Sequence, residues 1–231
     1  MDDEKTLIVC EIGQNHCGNL DLALDLIVKA HESGADLVKF QLYDHNKLYA
    51  DHPKISDVAL SFEQAKFLFN AGEHEGIEVF FSVFDEERVK WCEEIGVKRY
   101  KIAARVDDDK LLAAIAETKK PVIASVSPHY PRDKKWSQAF YNLDLLYCAS
   151  KYPSPLQSLR FNHVDYTLEY QGFSDHTIGL DAAKIALARG ARIIEKHFAE
   201  DHKTGIDAEW SMDEKELREL VRFKNVVSKV L

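Results

Sequence analysis

The order of apolar runs predicts an α/β fold, a single-domain (β/α)8 barrel. Three observations predict it. Eight short strand-like runs alternate with helix-like stretches across the 231 residues. Charged and hydroxyl side chains gather at the C-terminal ends of those runs, the end where barrels of this kind carry their sites. No glycine-rich dinucleotide motif follows the first run, which places the closed barrel ahead of an open doubly wound sheet.

The first strand is Leu7-Ile8-Val9-Cys10. Asn19 to Ser33 follows, with Leu20, Ala23, Leu26, Ile27 and Ala30 near helical spacing and Gly34 as a stop. Leu37-Val38-Lys39-Phe40 is the second strand, followed by a polar loop from Asp44 to Val58. Ser61-Phe62-Glu63-Gln64 has the spacing of a capping box and opens a helix to about Glu75. Val79 to Ser82 is the third strand, and Glu86 to Ile95 the helix closed by Gly96. The fourth strand, Tyr100 to Ala103, leads to a helix from Asp109 to Thr118. The fifth is Val122 to Ser125; the prolines between Pro128 and Ser137 shorten any helix there. The sixth is Leu145 to Cys148. The seventh, Tyr170 to Phe173, and the eighth, Ala191 to Ile194, flank a helix from Leu180 to Arg189. Asp213 to Val230 reads as a last amphipathic helix.

Composition narrows the function. With 45% hydrophobic and 30% charged residues, the chain has the make-up of a globular protein rather than a disordered one. The formal net charge of −9 argues against a broad nucleic-acid or anionic-membrane surface, while leaving room for a locally basic pocket. No apolar run approaches the ~20 residues that span a bilayer, and the acidic start lacks a signal-peptide pattern, so a cytoplasmic location is expected. The four cysteines are scattered without C-x-x-C spacing; Cys10 and Cys148 read as buried thiols.

The strand ends supply the chemistry. In order they offer Glu11 with Asn15-His16, Lys39 with Gln41, Ser82, Lys101, Ser125 with Ser127, Ser150 with Tyr152, Ser174 with His176, and Glu195 with His197. A lone strand-end lysine is usually a salt-bridged or snorkelling residue. Lys39 and Lys101 together with several hydroxyls read as an anion pocket, since lysine is a compact donor suited to phosphate or carboxylate. His176 and His197 stand one strand-helix-strand step apart, at the same end of neighbouring parallel strands. Two neutral imidazoles there can hold a divalent metal with positions left for substrate. Free histidine titrates near 6.5, so metal binding is expected to weaken below about that pH. His31, His74 and His163 read as structural, and Tyr152 before Pro153-Ser154-Pro155 also suits a turn.

At these residues the chain resembles the sialic acid synthase family of N-acetylneuraminate and related nonulosonate synthases. Glu11-Ile12-Gly13-Gln14-Asn15-His16-Cys17-Gly18 is similar to the family's first-strand signature, and Gly34-Ala35-Asp36-Leu37-Val38-Lys39-Phe40-Gln41 to its second. Tyr100-Lys101-Ile102, Tyr152-Pro153-Ser154-Pro155, Ser174-Asp175-His176-Thr177-Ile178-Gly179 and Glu195-Lys196-His197-Phe198 resemble the fourth, sixth, seventh and eighth, in the family's order. The resemblance implies a transferase of the EC 2.5.1 type, condensing phosphoenolpyruvate with an open-chain N-acetylated sugar aldehyde and releasing phosphate. It implies a divalent cofactor, Mn2+ or Mg2+, held by His176 and His197, which would polarise the aldehyde as a Lewis acid. It implies that Lys39, Ser82, Lys101, Ser125 and Ser174 hold phosphoenolpyruvate, and that Glu11, Gln41, Tyr152 and Asp207 face the sugar or the water. It also leads to the expectation of a homodimer.

Three departures bear on the activity. The family usually has a serine and an acid close behind the fourth-strand lysine; here the run is Ala103-Ala104-Arg105-Val106. Arg105 is then a candidate substrate contact and Asp107 a candidate acid. Ser150 stands where the family often has asparagine. The resemblance covers the barrel alone, so one domain over residues 1–231 is expected, without the family's small antifreeze-like C-terminal domain. The alternatives are a barrel that binds phosphoenolpyruvate-like anions and metal without turnover, and a related 3-deoxy-sugar-acid synthase or aldolase.

Overall fold

The computed structural model describes residues 5–48, 58–126 and 139–230. Its strands are β1 (Leu7–Gly13), β2 (Leu37–Leu42), β3 (Glu78–Val83), β4 (Tyr100–Ile102), β5 (Val122–Val126), β6 (Leu143–Cys148), β7 (Gly172–Asp175) and β8 (Ile193–His197). They close into one barrel in sequence order, each pair parallel, with β1 bonded to both β2 and β8. The helices are α1 (Leu20–Glu32), α2 (His45–Leu48), α3 (Phe62–Glu75), α4 (Glu86–Ile95), α5 (Asp109–Glu117), α6 (Asp181–Ala188) and α7 (Glu214–Val230). The architecture is the (β/α)8 barrel that the sequence predicts.

Local chemistry sets the element ends. Asn19 accepts from the backbone N–H groups of Asp21 and Leu22 to start α1, and its stripe Ala23, Leu26, Ile27 and Ala30 is buried. Ser61 and Gln64 form the expected capping box of α3. Asp85 and Asp108 cap α4 and α5. Gly34 follows α1 at φ +89, a left-handed conformation, and packs under Val221 of α7.

Some expectations need adjusting. The loop after β2 contains the short helix α2, and residues 49–57 lie outside the described residues. Ser127 and the proline-bearing stretch from Pro128 to Ser137 lie outside them too. After β6 the chain makes two 3-10 turns, Leu156–Ser158 and Phe161–His163. The eighth strand runs on past Ile194 to His197. Its polar end is compatible with a strand because each charge is matched: Lys196 turns outward to Asp175 Oδ2 at 3.2 Å and Thr177 O at 2.6 Å.

The interior is layered by the two-residue period of the strands. Val9, Leu37, Phe80, Ile123, Leu146 and Ile193 form a separate apolar cluster within the barrel. Two residues further along the same strands stand Glu11, Lys39, Ser82, Ser125, Cys148 and Glu195, with Lys101 and Ser174 beside them. The apolar layer closes the barrel floor, and the polar layer is the floor of a cavity. The larger core lies between barrel and helices, with Phe40, Phe81, Tyr147, Phe173 and Phe198 fully buried.

Candidate active site

The cavity at the C-terminal mouth of the barrel holds about 250 Å3. Its floor is an ion-pair network. Lys39 contacts the Glu11 carboxylate and donates to Ser82 Oγ at 2.8 Å. Lys101 donates to Ser125 Oγ at 2.8 Å and to Ile102 O at 3.0 Å. Glu195 sits between them, 3.7 Å from Lys39 Nζ and 3.5 Å from Lys101 Nζ, and accepts from Ser174 Oγ at 2.9 Å. Gln41 Nε2 donates to Glu11 Oε1 at 3.2 Å. Strand pairing fixes this arrangement, because Glu11 is in register with Lys39 and His197, and Ser82 with Gln41 and Lys101.

Burial sets the protonation states. It pulls Lys39 down to about 7; the Glu195 carboxylate opposes the shift and the Lys101 charge adds to it. Glu195 is held below the usual carboxylate range by Lys101 and Lys39, against its own burial. Below about pH 7, where Lys39 is charged, two lysines and two carboxylates balance, so an incoming anion must displace a carboxylate from an ammonium or add a proton.

The wall above the floor carries the histidines. The ring centroids of His176 and His197 are 5.5 Å apart. Burial lowers His176 to about 3 and His197 well below its ordinary value. Both rings are neutral, the ligand form. The expected weakening of metal binding near pH 6.5 therefore moves to lower pH. His197 Nδ1 is buried without a hydrogen-bond partner, and Asp207 Oδ2 lies 3.5 Å from it. Two neighbouring neutral imidazoles, one with an unsatisfied nitrogen, beside a carboxylate form a donor set that suits a divalent cation. Asp207 is itself raised to about 6, by burial first, with Arg105 and Lys39 pulling the other way.

A second metal-like group, His202, Asp213 and Glu216, lies on the surface. Its carboxylates are engaged in capping α7: Glu216 N donates to Asp213 Oδ1 at 2.8 Å and Asp213 N to Glu216 Oε2 at 3.0 Å.

A family model described as the NeuB family matches residues 26–231. The chain belongs to the NeuB family. Among its relatives, pseudaminic acid synthase of Campylobacter jejuni is 30% identical over 95% of this chain and 73% of its own length. The N,N'-diacetyllegionaminic acid synthase of Legionella pneumophila is 33% identical over 93% of this chain and 70% of its own. The crystal structure of the N-acetylneuraminic acid synthetase of Leptospira borgpetersenii, in complex with citrate, superposes with a TM-score of 0.90. It is 29% identical and is matched over 98% of this chain and 85% of that one.

Within this NeuB barrel the structure gathers Glu11, Lys39, Gln41, Ser82, Lys101, Arg105, Ser125, Tyr152, Ser174, His176, His197 and Asp207 around the one cavity. The ring centroid of Tyr152 lies 4.4 Å from that of His176. Arg105 lies over the Phe84 ring at 5.1 Å. Ser150 is not brought in: it is exposed, lies outside the lining, and its Oγ is 3.9 Å from Cys148 Sγ. Asp107 is exposed and outside the lining as well, so the acid expected behind Lys101 is not supplied there. Asn15 and His16 are buried behind the wall. Asn15 accepts from Asp207 N at 3.0 Å and donates to Phe198 O and Ser211 Oγ, bracing the loop that carries Asp207.

Glu195, Gln14, Phe84, Cys148, Ile206 and Trp210 also line the cavity and were not assigned a role from sequence. Glu195 had a legible signal, since it shares a pleat face with His197. Cys148 read as an ordinary buried thiol. Trp210 sits on a 3-10 turn, Ala208–Trp210, in the loop after β8, where no periodicity points.

Proposed function

We propose that the chain condenses phosphoenolpyruvate with an open-chain amino-sugar or N-acetylamino-sugar aldehyde, giving a nonulosonic acid and inorganic phosphate, and that it needs Mn2+ or Mg2+. The observation that carries this reading is the juxtaposition, in one cavity, of the buried Lys39–Glu195–Lys101 network with the neutral pair His176 and His197. Lys39 and Lys101, with Ser82, Ser125 and Ser174, hold the phosphate and carboxylate groups. His176 and His197 hold the cation. When bound, the cation supplies Lewis-acid polarisation of the aldehyde. Glu11, Gln41, Arg105, Tyr152 and Asp207 line the acceptor side, and Asp207, raised to about 6, is placed in pKa to accept or return a proton near neutrality. The relatives' names support the reaction class, and the differences among their products leave the acceptor open.

One feature favours a second reading. Ala103 and Ala104 line the wall behind Lys101, where neither a hydroxyl nor a carboxylate is offered. In that reading the cavity binds phosphoenolpyruvate-like anions and metal without turnover. Phosphate release across a panel of N-acetylated hexosamines and other aldoses separates the two. Release that requires phosphoenolpyruvate, a sugar and Mn2+ together supports the synthase. Tight phosphoenolpyruvate binding by calorimetry with no release on any sugar supports the second reading. In either case His176→Ala and His197→Ala should abolish Mn2+ binding with modest loss of stability; wild-type affinity in either variant removes the ligand assignment.

A further inference from the structure

Cys148 stands in the polar layer of the cavity, and nothing in the proposed chemistry uses it. It is buried at 1% exposure, paired in register with Ser174 on β7. Its Sγ lies 3.8 Å from Nδ1 of His176 and, on the other side, 3.9 Å from Oγ of Ser150. The Tyr152 ring, 4.4 Å from that of His176 between centroids, packs against the same imidazole. A neutral imidazole has one N–H and one lone pair, and the partner of one nitrogen decides the state of the other. With Nδ1 facing the thiol, Nε2 is the nitrogen left for a ligand; the Ala149 backbone also hydrogen-bonds this imidazole, so the thiol shares the ring with it.

We infer that Cys148 is a positioning residue for His176: its sulfur accepts the Nδ1–H, fixing the tautomer whose Nε2 lone pair is open to a divalent cation. The thiol keeps its proton and donates it in a hydrogen bond to Ser150 Oγ, which gives Ser150 a place in the site although it lies outside the cavity lining. Metal-bound histidines commonly donate their other N–H to an oriented acceptor, most often a carboxylate or carbonyl. A carboxylate here would upset the balance of Lys39 and Lys101 against Glu11 and Glu195; a thiol accepts without adding charge. This inference rests on the reading of His176 as a metal ligand.

The test uses the full chain stripped of metal and titrated with Mn2+ alone, free Mn2+ being read by electron paramagnetic resonance. Cys148→Val removes the acceptor and adds about one methyl group; Cys148→Ala, which is smaller, is the second variant if the first folds poorly. Either should bind Mn2+ about tenfold more weakly, the lower range for loss of a supporting partner. The metal-free melting temperature should stay within a few degrees of wild type. Cys148→Ser keeps an acceptor, set back by a few tenths of an ångström, and should fall between. Wild-type affinity in Cys148→Val overturns the inference, and so does tighter binding, which would mean that the thiol donates to Nδ1. A readout that needs no variant is the nitrogen-15 spectrum of His176 in the metal-free protein: the Nδ1–H tautomer is expected, and the Nε2–H tautomer refutes the assignment. His176→Ala is the control. If it also binds Mn2+ normally, the ligand reading itself has failed, an outcome distinct from normal binding by Cys148→Val alone.

Discussion

Replacing Glu195 by glutamine keeps the shape of the side chain and removes the charge that two buried lysines share. In the wild type its oxygens lie 3.7 Å from Lys39 Nζ and 3.5 Å from Lys101 Nζ. At an effective dielectric of about 20, each contact is worth roughly 4–5 kcal/mol before desolvation is counted. The two lysines do not lose equally. Lys39 keeps Glu11, and because burial already brings it to about 7, it can shed its proton at modest cost. Among the described residues, the hydrogen-bond partners Lys101 keeps are Ser125 Oγ and Ile102 O, both neutral. The loss should therefore fall mainly on Lys101, about 3 kcal/mol at neutral pH, the lower end of the range for breaking a buried pair. For a chain of this size that lowers the melting temperature by roughly 6–12 °C. Inorganic phosphate replaces the missing negative charge, so saturating phosphate should raise the melting temperature of Glu195→Gln by more than that of wild type. Scanning calorimetry with and without phosphate reads both effects. A variant within about 0.5 kcal/mol of wild type, with no extra response to phosphate, would show that the lysines do not depend on Glu195.

Other expectations follow from the same geometry. With Lys39 near 7, an anionic ligand that raises its pKa should draw in a proton at about pH 8, where the free side chain is mostly neutral, and draw in little at about pH 6. Calorimetric titration of phosphoenolpyruvate in two buffers of different ionisation enthalpy reads this uptake, and buffer-independent heats at the higher pH would contradict it. Gly172→Ala should cost about 3 kcal/mol or prevent folding, because a Cβ there would stand 2.0 Å from the backbone oxygen of Ile193 and backbone cannot step aside. Urea unfolding measures it; a fully stable alanine variant would mean that β7 and β8 can separate more easily than their register implies. Arg105→Ala should raise the KM of the sugar acceptor and leave that of phosphoenolpyruvate nearly unchanged, since Arg105 lies over Phe84 and acts electrostatically on Asp207, which is proposed to face the acceptor. Steady-state kinetics with each substrate varied decides it, and a selective rise in the phosphoenolpyruvate KM would move Arg105 to the other subsite.

The sequence by itself determined the barrel, because local rules suffice for it: period-two apolar runs, helical stripes such as Ala23–Leu26–Ile27–Ala30, and caps at Asn19, Ser61, Asp85 and Asp108. It also determined which strand ends carry charge, and so which residues converge when the strands close. What it did not contain is distance across the barrel. Lys39, Lys101 and Glu195 stand on β2, β4 and β8, and only closure shows that the carboxylate lies between the two lysines. The same holds for Cys148, whose surroundings in sequence are those of any core thiol, and for Trp210, carried in by a loop without periodicity. Asn15 looked like a site residue because it follows Glu11, but the turn after β1 directs it to the back of the Asp207 loop. Ser150 and Asp107 looked equally well placed in the sequence, yet each falls outside the lining. Strand periodicity fixes the face to which a side chain points, but it stops at the strand end. Beyond that point only the tertiary path of the loop decides what reaches the cavity.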